Sequence, residues 1–199
     1  SSAASDVYKR QTNYALAGME DAPNQNALRL GFPESDLYFN AGFVLLNVKY
    51  LRDMDFTNKA MAYIRDCREK IVLHDQDVLN ALLHGKVLFV PIKWNMLDCF
   101  YRKPPFIAKK YMRELHENLD SPAVIHFSGP LKPWHYGCLH PLRKEYFNYS
   151  RKLSWGCQRP DYGYVFNAFK FPVSLFIWFG CTLEKAERLD RKIRFKKKR

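Results

Sequence analysis

Residues 37–48 read LYFNAGFVLLNV, and the fold class turns on how that stretch is read. From Phe43 to Val48 it is an apolar run, interrupted only by Asn47 and in part β-branched. Such a run predicts a strand buried on both faces, of the kind found inside layered α/β domains. Gly42 stands just ahead of it, where a missing Cβ allows a close backbone approach or an unusual φ.

Working outward, residues 49–70 place Leu51, Met54, Ala60, Tyr63, Ile64 and Cys67 at helical spacing with charges between. A break is expected near Asp55-Phe56-Thr57. Residues 75–83 (DQDVLNALL) predict a second helix with Asp75 and Asp77 in its first turn, where the helix dipole favours anions, and Gly85 closes it. Residues 87–90 predict a strand stopped by Pro91. Pro104-Pro105 breaks the chain. A helix over 107–119, a strand over 123–127, a rigid loop over 128–134 (SGPLKPW) and a helix over 141–153 follow. On the N-terminal side, residues 13–18 (NYALAG) predict a short strand ending near Met19-Glu20-Asp21. Residues 22–36, rich in Pro, Asn and Gly, predict a loop. Strands that alternate with helices make this an α/β chain.

Composition narrows the function. The chain has 199 residues and is 47% apolar, which excludes a disordered chain and suits a single globular domain. Aromatic residues reach 16%, suited to stacking on sugars or bases as well as to a core. The formal net charge of +12 favours an anionic partner. Residues 185–199 concentrate that charge, with nine Lys or Arg against two acids. Five cysteines, an odd number with no C-x-x-C pair, argue against a disulfide framework or zinc ribbon and for reduced thiols in a cytoplasmic setting. The first eleven residues, SSAASDVYKRQ, have no apolar signal core. Residues 1–12 are expected to be extraneous or unstructured, 13–155 to form a catalytic part, and 156–199 an aromatic and basic segment. Within that segment residues 162–181 are too interrupted to span a bilayer, yet suit an interfacial anchor on anionic lipid.

Three motifs carry chemistry. In residues 124–134, VIHFSGPLKPW, a strand delivers His126 to a loop holding Gly129 and Lys132. An imidazole can bind a metal, a glycine admits a phosphate, and an ammonium offsets its charge. A core histidine followed by a proline-rich turn fits the same letters. In residues 74–80, HDQDVLN, Asp75 and Gln76 can hydrogen-bond sugar hydroxyls or simply cap a helix. In residues 38–42, YFNAG, Asn40 can hold a polar ligand beside Ala41 and Gly42 or serve only as a turn residue.

Taken in this order, YFNAG, DQDVLN and IHFSGPLKPW resemble the family 8 glycosyltransferases, lipooligosaccharide galactosyltransferases and bacterial glucosyltransferases among them, from about residue 14 to residue 155. The resemblance implies a GT-A-like nucleotide-diphospho-sugar transferase fold with a mixed central sheet. It implies a UDP-sugar donor, Mn2+ or Mg2+, and transfer of glucose or galactose with retention to a saccharide or lipid-linked glycan. By that resemblance His126 is a metal ligand, and Gly129 and Lys132 contact the diphosphate. Asn40, Ala41, Gly42, Asp75 and Gln76 line the donor-sugar pocket, with Asp21 at its edge. Asp75 and Gln76 are the expected catalytic residues, in a same-face mechanism where the leaving diphosphate helps activate the acceptor hydroxyl.

The family's Asp-x-Asp metal motif has no match at the expected place. Asp53-Met54-Asp55 has the letters but lies in a charged helical context and reads as a surface pair. The nucleotide-binding part is therefore expected to be truncated and the 199 residues inactive alone. The implied location is the cytoplasm, peripheral on the inner face of the plasma membrane. A basic aromatic nucleic-acid-binding module and a non-catalytic carbohydrate-binding remnant are the alternatives, with nucleic acid disfavoured because no binding signature accompanies the charge. Cys138 and His140 lack zinc partners at ligand spacing.

Overall fold

A computed structural model describes residues 13–21, 26–129, 131–135, 138–153 and Leu175. Residues 1–12 and most of 156–199, to which an extraneous start and a membrane-surface anchor were assigned, lie outside the described residues. The chain divides into two units, residues 1–95 and 96–199.

In the first unit the strand expected over 13–18 starts three residues later, as β1 (Leu16–Glu20), the middle strand of three. It runs antiparallel to β2 (Phe39–Leu46) and parallel to β3 (Val87–Phe89), so the sheet is mixed. Ala15, Leu16, Phe39 and Leu83 form the core beside it. Gly18 lets the Phe39 ring pack closely, since a Cβ at that position would stand 3.3 Å from it, tighter than ordinary contact. The register jumps from Gly18↔Val44 to Met19↔Asn40, so residues 41–43 bulge out of the ladder.

Two expectations for residues 37–48 need correction. The strand begins at Phe39, not Phe43, and its buried end is the N-terminal one: Phe39 is fully buried while Leu45 is 70% exposed. Apolar letters report what a strand could bury, not what lies over it, and here the cover lies over its first half. Gly42 also takes no special φ, the positive-φ glycines among the described residues being Gly31 and Gly85. It sits instead in the bulge.

The 22–36 segment is not all loop. It contains α1 (Asn26–Leu30), which buries Ala27 and Leu30 and stops at Gly31 with φ 94°. The surrounding Pro, Asn and Gly hide so short a helix. The 49–70 segment does break where expected. Helix α2 (Val48–Asp53), capped by the Asn47 side chain, is separated from α3 (Phe56–Asp66) by Asp55 in the left-handed region. The Asp53–Asp55 pair is exposed and spoken for: Asp53 pairs with Lys49 at 2.6 Å, and Asp55 accepts from Asn58. Helix α4 (Asp75–Leu82) follows, entered through His74 at φ 49°.

The second unit holds a two-stranded parallel sheet, β4 (Met96–Leu97) and β5 (Ile125–His126), with Leu97 opposite His126. The expected strand over 123–127 shrinks to those two residues of β5. Helix α5 (Met112–Asn118) is shorter than expected because a 3-10 turn, Lys109–Tyr111, takes the start of its span. Helix α6 (Arg143–Ser150) lies within 141–153. Among the described residues no helix is long and apolar enough to cross a membrane.

Candidate functional site

In the first unit, β2 is the outer strand of the described sheet, so alternate backbone groups face away from β1 and need partners. Helix α4 supplies them with side chains. Asn80 accepts from the Phe39 N–H at 2.9 Å and donates to the Phe39 carbonyl at 2.9 Å, pairing with both groups as a neighbouring strand would. One turn earlier Gln76 Oε1 accepts from the Ala41 N–H at 2.9 Å. This leaves the Gln76 amide nitrogen to reach Asp21 Oδ2 at 3.1 Å, just past the end of β1.

Asn40 points into the same group. Its Nδ2 stands 3.5 Å from Asp21 Oδ2, and its Oδ1 accepts from the Gly42 N–H and from Asn95 Nδ2, each at 2.9 Å. Asp21, Asn40, Ala41, Gly42 and Gln76 are thus brought together from three elements. Asp21, Asn40 and Gln76 are each half-buried, which leaves polar surface for a ligand. Asp75, the first residue of α4, is exposed, and no bond ties it to this group.

Asp77 holds α4 in place. Its carboxylate is fully buried and accepts from Arg29 at 2.7 and 3.0 Å, from the Tyr38 hydroxyl at 2.6 Å, and from the N–H groups of Val72 and Leu73. Burial by itself would raise this carboxyl, but those bonds outweigh it and hold it down at about 2. The Tyr38 hydroxyl is pushed upward by burial and by the bond to Asp77. Asp77 is therefore a structural anchor and not a ligand of the sugar motif.

In the second unit, His126 ends β5, half-buried. The chain turns at once, with the Ser128 N–H donating to the His126 carbonyl at 2.8 Å. The Gly129 N–H donates to Asp98 Oδ1 at 2.6 Å, and the Ser128 hydroxyl bonds the same oxygen. The space left by the missing side chain of Gly129 is filled by a carboxylate, since a Cβ there would stand 2.5 Å from Asp98 Oδ2. Lys132 Nζ donates to the Phe127 carbonyl at 2.6 Å, and its N–H donates to His135 Nδ1 at 3.1 Å. Both members of the expected diphosphate grip are on one turn, each engaged by a group of the protein.

Sequence reasoning missed Asn95 and Asp98. Asn95 is fully buried and looks like an interruption in an apolar stretch, which is itself the signal that could have found it. Asp98 carries no such mark. Among the described residues no three His, Cys, Asp or Glu side chains come together to hold a metal ion. Among the described residues His126 alone has an expected ligand role toward the Mn2+ or Mg2+ that the resemblance implies.

Comparison with known proteins covers the same ground. The model of glycosyl transferase family 8 matches residues 10–138. General stress protein A of Bacillus subtilis is 32% identical over 149 residues, 71% of this chain and 51% of that protein. Lipopolysaccharide 1,2-glucosyltransferase of Escherichia coli is 33% identical over 124 residues, 59% of this chain and 35% of its own. The chain thus spans about half or less of these relatives. Among solved structures, a galactosyltransferase LgtC in complex with donor and acceptor sugar analogs superposes with a TM-score of 0.62 at 24% identity, over 72% of this chain and 54% of the other. At that identity the likeness speaks for the fold.

Proposed function

The chain belongs to glycosyl transferase family 8, and from that premise we propose that it takes part in moving glucose or galactose from a UDP-sugar to a saccharide or lipid-linked glycan, with retention of configuration. The cluster of Asp21, Asn40 and Gln76 is the observation that carries this reading. A sugar hydroxyl both donates and accepts, and vicinal hydroxyls are best matched by carboxylate and amide groups held at fixed spacing. Here the spacing is set by α4, whose Gln76 is already tied to the Ala41 backbone. Asp75, exposed beside it, is free to meet the donor or acceptor from the solvent side.

Gly129 and Lys132 are assigned to the diphosphate. The ammonium of Lys132 offsets the charge that grows on the departing group, an electrostatic contribution to catalysis. An amide is a poor nucleophile, so Gln76 orients the sugar, and the departing diphosphate takes the acceptor's proton on the same face. A divalent ion, when bound, would add further charge neutralisation, and the His126 imidazole is this chain's proposed contact with it. The relative named as a lipopolysaccharide glucosyltransferase supports an acceptor of that class. The basic, aromatic residues 162–199 are assigned to an anionic membrane surface, which places the protein at the cytoplasmic face; loss of liposome binding on their deletion tests it.

Saturation-transfer NMR with UDP-glucose and UDP-galactose tests the sugar site. Wild-type protein should transfer saturation to the hexose protons, Gln76→Ala should lose it, and Gln76→Glu should keep part of it while circular dichroism stays unchanged. Equal transfer in all three would sink the assignment.

A further inference from the structure

Asp98 opens a 3-10 turn, Asp98–Tyr101, directly after β4. One carboxylate oxygen takes the Gly129 N–H and the Ser128 hydroxyl, and the other faces Arg102 Nη2 at 3.6 Å. The turn does not depend on this carboxylate for its shape. Lys132 Nζ on the Phe127 carbonyl, the Lys132 N–H on His135, the Ser128 N–H on the His126 carbonyl and Arg143 Nε on the Pro133 carbonyl at 2.7 Å hold it independently.

A backbone N–H and a hydroxyl are neutral groups that donate to a carboxylate or a phosphate oxygen alike. They cannot serve both at once, because two anions on one pair of donors repel. We propose that Asp98 is an internal anion occupying the donors of the Ser128–Gly129 turn, and that a diphosphate seats there only when the Asp98 carboxylate moves off them onto Arg102. The inference rests on the assignment of Gly129 and Lys132 to the diphosphate. Asp98 then acts as a threshold on that site. A doubly charged diphosphate, also drawn by Lys132, displaces it, while a weaker anion does not. The side chain is only 18% exposed, so the carboxylate's charge is poorly screened where the exchange happens.

The test is a titration of the 199-residue chain with inorganic pyrophosphate, read by the amide resonances of Gly129 and Ser128. In the wild type the Gly129 amide proton should start far downfield, as a short bond to a carboxylate requires, and move on titration. Asp98→Asn keeps an acceptor but removes the charge, and should bind pyrophosphate about three- to tenfold tighter. Arg102→Ala should weaken binding in the wild type and change it much less in the Asp98→Asn background, since Arg102 acts by receiving Asp98. Unchanged or weaker binding by Asp98→Asn, with Lys132→Ala still impairing the wild type, overturns the exchange and leaves the diphosphate assignment standing. If Lys132→Ala and Asp98→Asn both leave the titration as in the wild type, or no form binds, the diphosphate assignment fails and this inference with it.

Discussion

The α4–β2 seam and the 126–135 turn hold polar side chains by opposite means. In the seam the bonds join residues 35 to 55 positions apart: Gln76 to Ala41 and Asp21, Asn80 to Phe39, Asp77 to Arg29 and Tyr38. In the turn most bonds are local, such as Lys132 to Phe127 five residues away and to His135 three away, and Asp98 supplies the long reach. The seam thus exists only when the sheet is folded and arrives with its groups fixed. The turn is held mainly by bonds among its own near neighbours. A sugar whose hydroxyls must be told apart needs the first kind of support, and an anion that must enter and leave suits the second.

The contrast can be broken most directly at Asp77. Asp77→Ala strands Arg29 and the Tyr38 hydroxyl and should cost about 3–5 kcal/mol by urea denaturation. A loss below 1 kcal/mol would mean that the seam is not anchored as described.

Acid should separate the two regions next. Burial lowers the His140 imidazole of the second unit to about 4 against a weaker pull from Asp98. The unfolded chain takes up that proton first, so stability falls as pH drops from about 6.5 to about 4, by about 3 kcal/mol in full. His140→Phe should flatten that window. The depressed Asp77 works lower: its contribution is intact above about 4 and is lost as pH falls toward about 2. A denaturation series whose slope between pH 4 and 6.5 survives His140→Phe would refute the first half.

Smaller effects sharpen the comparison. Asn80→Asp keeps the acceptor for the Phe39 N–H but sets a carboxylate against the carbonyls of Phe39 and Gln76. It should cost about 2 kcal/mol, measurable as a lowered Tm. Lys132→Ala removes one bond to a backbone carbonyl and should cost no more than about 1 kcal/mol of stability, checked in the same melts. A turn residue as costly as Asn80→Asp would erase the distinction between the regions.

Those same two regions show what a sequence can disclose. Asn40, Gln76, Gly129 and Lys132 stood in motifs dense enough to name; the α/β class followed from alternating strands and helices, and the mixed sheet from the resemblance those motifs carry. Asp77 was read as a helix-end acid because nothing near it reveals Arg29, 48 residues away. Asn95 and Asp98 follow from pairings across the chain, to Asn40 and to Gly129, that no local period encodes. Leu45 and Leu46 misled in the other direction: their letters promise a core, and burial depends on what lies across from them.

The carboxamide of Asn80 bears on how the chain finds its alignment. It grips the N–H and C=O of one residue, Phe39. Along a strand those groups reverse direction at every step. Were β2 to slip by a single residue, Asn80 would meet Asn40, whose backbone groups point toward β1, and both of its bonds to that strand would be lost. One side chain on a helix thereby checks the alignment of two strands it does not belong to, and sets Asn40 on the side where Asp21 and Gln76 wait.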